Sequence, residues 1–251
     1  AVVSHCFPLL DTGVATGAIV LVRDVTELRR RDRQLVSKDA TIREIHHRVK
    51  NNLQTISSLL RLQARRLSGD EARAALGESV RRIAAISVVH ETLAQSAEDD
   101  LAFTEIVRPL VRVVEESVSS PLRPVSFTVE GDAGAVPGQV STTMAVVLTE
   151  LLQNAVDHAF PVEGGTVRIQ LDRRTDGLLV RVVDDGVGIS EGFEVADATG
   201  LGLTIVRTFV EGELGGRIRL VPVEGGSGTV AEVWVPASRL VGPWGNSRDP
   251  V

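Results

Sequence analysis

Two adjacent imidazoles sit in the stretch Glu44-Ile45-His46-His47-Arg48-Val49-Lys50-Asn51-Asn52. A neutral imidazole is a nucleophile and a proton carrier near neutral pH. Consecutive helical residues point about 100° apart, so two neighbouring histidines cannot serve one partner equally. Leu28, Leu35, Ile42, Val49 and Ile56 recur at intervals of seven, with Ile45, Leu53, Leu59, Leu60 and Leu67 at offsets of three and four. Such a seam marks a helix that pairs with other helices. With Ile42 at heptad position a, Ile45 is d, His46 is e and His47 is f, the outward position. Glu44, His47, Asn51, Gln54 and Ser58 then form an outward polar stripe. Glu44 at minus three and Asn51 at plus four are the polar neighbours of His47. His46 has Ile42, Val49 and Lys50 at those distances, which predicts that it packs or hydrogen-bonds within the bundle.

A second group of candidates lies downstream. Glu150, Asn154 and His158 are spaced i, i+4, i+8 and fall on one face of a predicted helix, 139–159. An amide oxygen on such a face can ligate Mg²⁺, a cation that prefers oxygen. Leu148, Leu151, Leu152, Ala155 and Val156 remain to anchor the other faces. Val182-Val183-Asp184-Asp185-Gly186-Val187-Gly188-Ile189 puts an acid at a strand end, followed by two glycines. The carboxylate of Asp184 can accept a hydrogen bond from an exocyclic amine such as that of adenine, and Gly186 and Gly188 let the backbone approach a ring. Gly200-Leu201-Gly202-Leu203 opens a helix whose free N–H groups suit a phosphate. The segment between, Ile189 to Thr199, is short and polar enough to close as a lid. Gly226-Ser227-Gly228-Thr229 precedes a last strand and reads equally as a hairpin turn or as a floor beneath a nucleotide.

The elements that position these residues follow from periodicity. Strands at 1–10 and 16–24, joined by Asp11-Thr12-Gly13, predict a hairpin. The long helix, roughly 60 Å over 26–67 at about 1.5 Å per residue, stops at Ser68-Gly69-Asp70. A second helix carries Leu76, Val80, Ile83, Val89 and Leu93, so the two form an antiparallel hairpin and two copies a four-helix bundle. His90 falls on the apolar face of that second helix as a structural residue. From 103 the pattern is helix (103–119), strand (125–130), helix (139–159), strands (166–173 and 178–184), helix (201–213) and strands (216–222 and 229–235), with mainly antiparallel strands. Residues 238–251 read as a flexible tail.

Composition narrows the classes. The chain has 251 residues, 43% hydrophobic and 24% charged, with a formal net charge of -6, which argues against nucleic acid as the main partner. The single cysteine, Cys6, excludes an internal disulfide and a thiolate metal cluster. No apolar run reaches the roughly 18–20 residues that span a bilayer. The chain opens in mid-strand, as an excised fragment would.

The blocks at Asn154, Asp184–Gly188, Gly200–Gly202 and Gly228–Thr229, in that order, resemble the Bergerat ATP-binding fold of histidine kinases, large chaperones, gyrase and mismatch-repair ATPases. The resemblance covers about 103–236. It implies that Asn154 is the Mg²⁺ ligand and Asp184 the acid that reads adenine. It puts Gly186 and Gly188 in the same box, Gly200, Leu201, Gly202 and Leu203 in the second, and Gly228 and Thr229 in the third. It further implies that His158 contacts phosphate and that Glu150 helps proton transfer; the family's separate phenylalanine box has no match here unless Phe193 serves. The helix motif resembles the phosphoacceptor box of the HWE-related branch of sensor histidine kinases. There the resemblance selects His47, with Asn51 at plus four; Arg48 stands where the larger branch has an acid, so Glu44 is the candidate to orient the ring. Gly17–Glu27 resembles the exit strand of a PAS sensor domain.

The implied fold class is α+β: a PAS-like remnant (1–27), a helical hairpin for dimerisation and phosphotransfer (28–100), a Bergerat-type α/β sandwich (101–237) and the tail (238–251). The implied function is a homodimeric, cytoplasmic autokinase. It uses ATP and Mg²⁺, with catalytic His47, Glu44, Asn51 and Glu150, and passes phosphate to an aspartate of a response regulator. Actinobacterial PAS-containing kinases that signal to an RNA-binding antiterminator look similar throughout. The alternatives are an ATP-binding dimeric scaffold, or another ATPase or serine kinase of the same fold.

Overall fold

The structure, a computed structural model, describes residues 1–11, 14–67, 69–95, 100–118, 124–161, 164–190, 192–197 and 200–240. The turn residues Thr12 and Gly13, the helix stop Ser68, the lid residues Glu191, Ala198 and Thr199, and 241–251 of the expected tail lie outside them, as do the side chains of Leu28 and Leu35. The chain divides into two compact units, Ala1–Ile45 and His46–Val251.

In the first unit β1 (Val2–Asp11) and β2 (Val14–Asp24) pair antiparallel, with a register shift between Leu9 and Leu10. The consecutive side chains Ile19, Val20, Leu21 and Val22 are 54–62% exposed. Successive strand residues point to opposite faces, so both faces of this ribbon are apolar and uncovered. Asp24 Oδ1 accepts hydrogen bonds from the N–H of Thr26 (2.8 Å) and its hydroxyl (2.6 Å). This caps the start of α1 (Thr26–Ala64) and holds the Asp24 carboxyl below the ordinary range.

In the second unit the end of α1 meets α2 (Asp70–Gln95). His46 Nδ1 lies 2.9 Å from His90 Nδ1, and Lys50 pairs with Glu91. His46, Leu53, Leu60 and Ala64 are half-buried, whereas Ile56, Leu59 and Leu62 are 44–57% exposed. The helix thus has one apolar face toward α2 and another, along the a/d seam, that this chain leaves open.

The remainder is a two-layer sandwich. β3 (Asp100–Ala102) pairs with β5 (Ala135–Pro137), around α3 (Phe103–Val118) and β4 (Val125–Asp132). α4 (Gly138–Asn154) follows, then β6 (Gly165–Arg173), β7 (Gly177–Asp184), α5 (Leu201–Arg207), β8 (Arg217–Pro222) and β9 (Thr229–Pro236). The sheet order is β4-β6-β7-β9-β8, with β4–β6 parallel and the other pairs antiparallel. Every helix and strand expected between 103 and 235 is present; the short β3 and β5 are additions. In β9, Thr229, Ala231, Val233 and Val235 are buried and alternate with half-buried residues, the pattern of a sheet with one face on the core. Helix α4 is buried on nearly every face: Met144, Leu148 and Leu152 lie in the core shared with Ile169, Val180 and Val233 of the sheet, and Ala85 and Val89 of α2 join the same core. After Pro236, Ala237–Arg239 make a 3₁₀ turn and Leu240 is 5% exposed.

Candidate functional site

α4 and α5 both change pitch at their C-terminal ends. Ala155–Ala159 and Thr208–Glu213 are π-helical, a widened turn that the sequence pattern does not announce and that recurs at functional sites. The first of these carries His158 at the end of α4. Its last carbonyl, on Ala159, accepts the N–H of Val187 at 3.0 Å. That bond needs Gly186: a Cβ there would overlap the Ala159 carbonyl. The glycine therefore docks the end of α4 onto the loop after β7.

Asp184, at the end of β7, is 6% exposed. Its Oδ1 accepts the N–H groups of Gly186 and Thr229, both at 3.1 Å. Burial pushes its carboxyl above the ordinary range, and the hydrogen bonds from Gly186 and Thr229 oppose that shift. Gly228 has φ +122°, and a Cβ on it would overlap the Asp184 carbonyl. The Gly-Thr pair at the start of β9 thus closes directly on the acid.

These elements enclose a cavity of about 520 Å³, a size suited to a nucleotide or similar ligand. Asn154 and His158 form one wall, Asp184, Gly188 and Thr229 another, and Gly200, Gly202 and Leu203 a third. Phe193 and Ile189 cover it from the segment between the glycine boxes; Leu151, Ala155, Val182, Leu220 and Ala231 supply the apolar lining. Those apolar walls had no signal in the sequence beyond ordinary core periodicity. The Asn154 amide nitrogen is buried and has no hydrogen-bond partner among the described residues. An unpaired buried amide is costly. Its oxygen and nitrogen exchange places by one side-chain rotation, so it fits an oxygen-seeking cation or a phosphate.

Asn154 and Glu150 share the expected face, both approaching Gly202, but a partner on α2 holds Glu150. It is not among the cavity's lining residues; its Oε1 and Oε2 accept Nε (2.6 Å) and Nη2 (3.0 Å) of Arg82 on α2. Nη2 of Arg82 also reaches Glu78 at 3.2 Å. Desolvation works against the charge on Arg82, but its bonds to Glu150 and Glu78 outweigh that and raise its pKa. Nothing about Arg82 stood out in the sequence, although Glu78, Arg82, Ala85 and Val89 share one helical face. Leu201 is 55% exposed outside the cavity. His47, Asn51 and Glu44 are exposed on α1. Glu44 belongs to the first unit, and the Asn51 carbonyl accepts the Thr55 hydroxyl at 3.0 Å. His46 is held against His90, as its heptad position predicted.

The family described as histidine kinase matches residues 44–118, and the family of histidine kinase-, DNA gyrase B- and HSP90-like ATPases matches 139–239. The chain belongs to the histidine kinases. It is 46% identical over 241 residues to the sensor histidine kinase PdtaS of Mycolicibacterium smegmatis, covering 95% of this chain and 48% of that one. It is 47% identical over 219 residues to PdtaS of Mycobacterium tuberculosis, covering 86% of this chain and 44% of that one. The chain thus spans about half the length of these curated kinases. Among solved structures, the histidine kinase domain of the Erythrobacter litoralis EL346 blue-light activated kinase superposes with a TM-score of 0.57 at 25% identity, over 82% of this chain and 97% of that one. The first family match spans α1 from Glu44 onward together with α2 and α3, and the second spans every wall of the cavity. Among the described residues no helix is long and apolar enough to cross a membrane.

Proposed function

We propose that this chain is the kinase core of a homodimeric sensor histidine kinase. The carrying observation is that a nucleotide-sized cavity walled by Asn154, Asp184 and Gly200–Gly202 lies in one compact unit with a helix that displays an exposed imidazole, His47. ATP would enter with its adenine amine on the Asp184 carboxylate and its phosphates toward Gly200, Gly202 and His158. Mg²⁺ would be held through the Asn154 amide oxygen, where it would neutralise phosphate charge. Neutral His47 attacks the γ-phosphorus in line. An N–P bond forms as the bond to the β-phosphate oxygen breaks, ADP leaves with that electron pair, and the imidazole loses its proton. Asn51 and Glu44 sit one turn away along the sequence to orient the ring, and Glu150 is the candidate to take the proton. The phosphoryl group then passes to an aspartate of a response regulator.

The open a/d face of α1 supports a second copy as its cover. The doubly exposed β1–β2 ribbon supports the reading of 1–27 as the edge of a PAS-like sheet; 28–100 is then the dimerisation and transfer hairpin and 101–237 the catalytic domain. A cytoplasmic setting follows from the ATP requirement. Incubation with γ-labelled ATP and Mg²⁺ tests the reading: the label should be alkali-stable, acid-labile and on His47. Label on serine, or ATP binding with no label, would replace it with a serine kinase or a scaffold.

A further inference from the structure

We propose that Arg82 is a latch: it holds Glu150 against α2 and parks the nucleotide domain near the loop end of the hairpin, away from His47. The proposal rests on the reading of the cavity as an ATP site. It starts from register. His46 meets His90, so His90 marks the level of the acceptor pair on α2. Arg82 lies eight residues nearer the loop, about 12 Å along the axis at ~1.5 Å per residue. Helix α4 runs antiparallel along α2: a Cβ at Gly138 would lie 3.2 Å from Leu93, while Glu150 sits on Arg82. Asn154, one turn beyond Glu150, is therefore carried further toward the loop. In-line transfer needs the reacting atoms within about 3.5 Å. A dimer whose twofold runs along the hairpins has both its His47 residues at one level, so neither is within reach.

The latch is charged, and it sits within an apolar contact whose buried α2 side chains are small. The buried side chains of α2 are Val80, Ala85, Val89 and Ala94, smaller than the half-buried Leu93 that also meets the core, so a shift along α4 exchanges mostly small apolar contacts. The fork on Glu150 supplies direction. With side-chain exposures of 16% for Arg82 and 9% for Glu150, breaking it leaves a desolvated charge and costs more than breaking a surface pair. It also ties up the carboxylate that is the candidate proton acceptor. A Cβ at Gly202 would lie 3.0 Å from Glu150 Oε2, so the glycine loop closes on this carboxylate from the other side. Moving α2 along α4 would break the fork, free Glu150 and carry the cavity toward His47 in a single motion.

Arg82→Gln removes the charge and half of the fork but keeps the length. The rate of His47 labelling should rise about tenfold, in the usual range of coupling between sites, with fluorescent ATP-analogue affinity within twofold of the parent and faster hydrogen exchange along 78–93. An unchanged or lower rate in the folded variant overturns the latch; a lower rate makes Arg82 a residue that positions Glu150 for transfer. Independently of how that variant folds, cysteines at 93 and 138 in a Cys6→Ser background can be joined by a short thiol cross-linker. The joined protein should bind the analogue but label below a tenth of the unjoined rate, and labelling at full rate overturns the proposal. If the parent binds no analogue, the ATP reading fails; the latch is then judged by exchange along 78–93 alone, which Arg82→Gln must accelerate.

Discussion

The nucleotide domain and helix α1 solve opposite problems with the same apolar residues. In the domain, α4 is wrapped by α2, α3 and the sheet, so Met144, Leu148 and Leu152 are buried within one chain. The cavity is therefore built before any ligand arrives. On α1 the a/d seam is open: Ile56 and Leu59 are 44% and 57% exposed although the neighbouring face is covered by α2. One region is covered within this chain and the other leaves apolar surface for the proposed second copy, so changes in one should leave the other's readout intact.

The largest separation is expected at His47. It is exposed and does not line the nucleotide-sized cavity, so His47→Gln should fold, dimerise and bind ATP while labelling falls to background. Phosphate mapped to His46 by mass spectrometry under alkaline handling would reverse the assignment and the heptad register beneath it. Next is the seam. Burying an Ile or Leu contributes about 1.5–3 kcal/mol, so Ile56→Asp with Leu59→Asp should weaken the dimer by about 10²- to 10⁴-fold. Ultracentrifugation should find a monomer with parental nucleotide affinity; a loss of both would mean that the two regions are not independent.

Asp184 sharpens the comparison from the other side. Asp184→Asn keeps an oxygen for the N–H groups of Gly186 and Thr229, but its second arm becomes a donor facing an amine. Affinity for ATP should fall about 10- to 100-fold, the cost of losing a hydrogen bond to a charged group. Apo stability should hold or rise, because the burial that raises this carboxyl's pKa penalises only the charged form. For a raised carboxyl that penalty is fully present above the folded pKa and absent below the unfolded one, so the gain should appear at neutral pH and vanish in acid. Thermal melts at both pH values, beside titrations with a nucleotide analogue, measure the two effects separately.

The sequence carried the nucleotide boxes because each is local: an acid at a strand end, glycines two apart, an amide on a helix. The heptads likewise put His46 inward and His47 outward. What it hid was long-range or irregular. Arg82 and Glu150 are 68 residues apart, and nothing near either names the other. The π turns at 155–159 and 208–213 keep helical composition while changing pitch, and the even i, i+4, i+8 spacing could not show that Arg82 holds Glu150 out of the cavity that Asn154 and His158 line. β3 and β5 have three residues each, too short for alternation to register. The apolar cavity walls look like core because they are also core.

The smallest expected effect lies where the hairpin joins its helices. His46 and His90 approach through Nδ1 atoms at 2.9 Å, a distance at which one proton is shared and two repel. Burial, with the charge of His46 second, holds His90 below the ordinary histidine value of 6.5. Unfolding restores that value, so the unfolded chain binds more protons as the pH falls from 6.5 through the folded pKa. The hairpin should lose stability across that window and be indifferent above it. His90→Gln removes the titration and should flatten the slope, at a small cost at neutral pH from the lost contact. Melts at pH 7.5 and 5.5 should converge for the variant and diverge for the parent. Equal slopes would show that the ring pair opens before it charges, and would take the His46–His90 contact out of the forces that fix the register of α1 on α2.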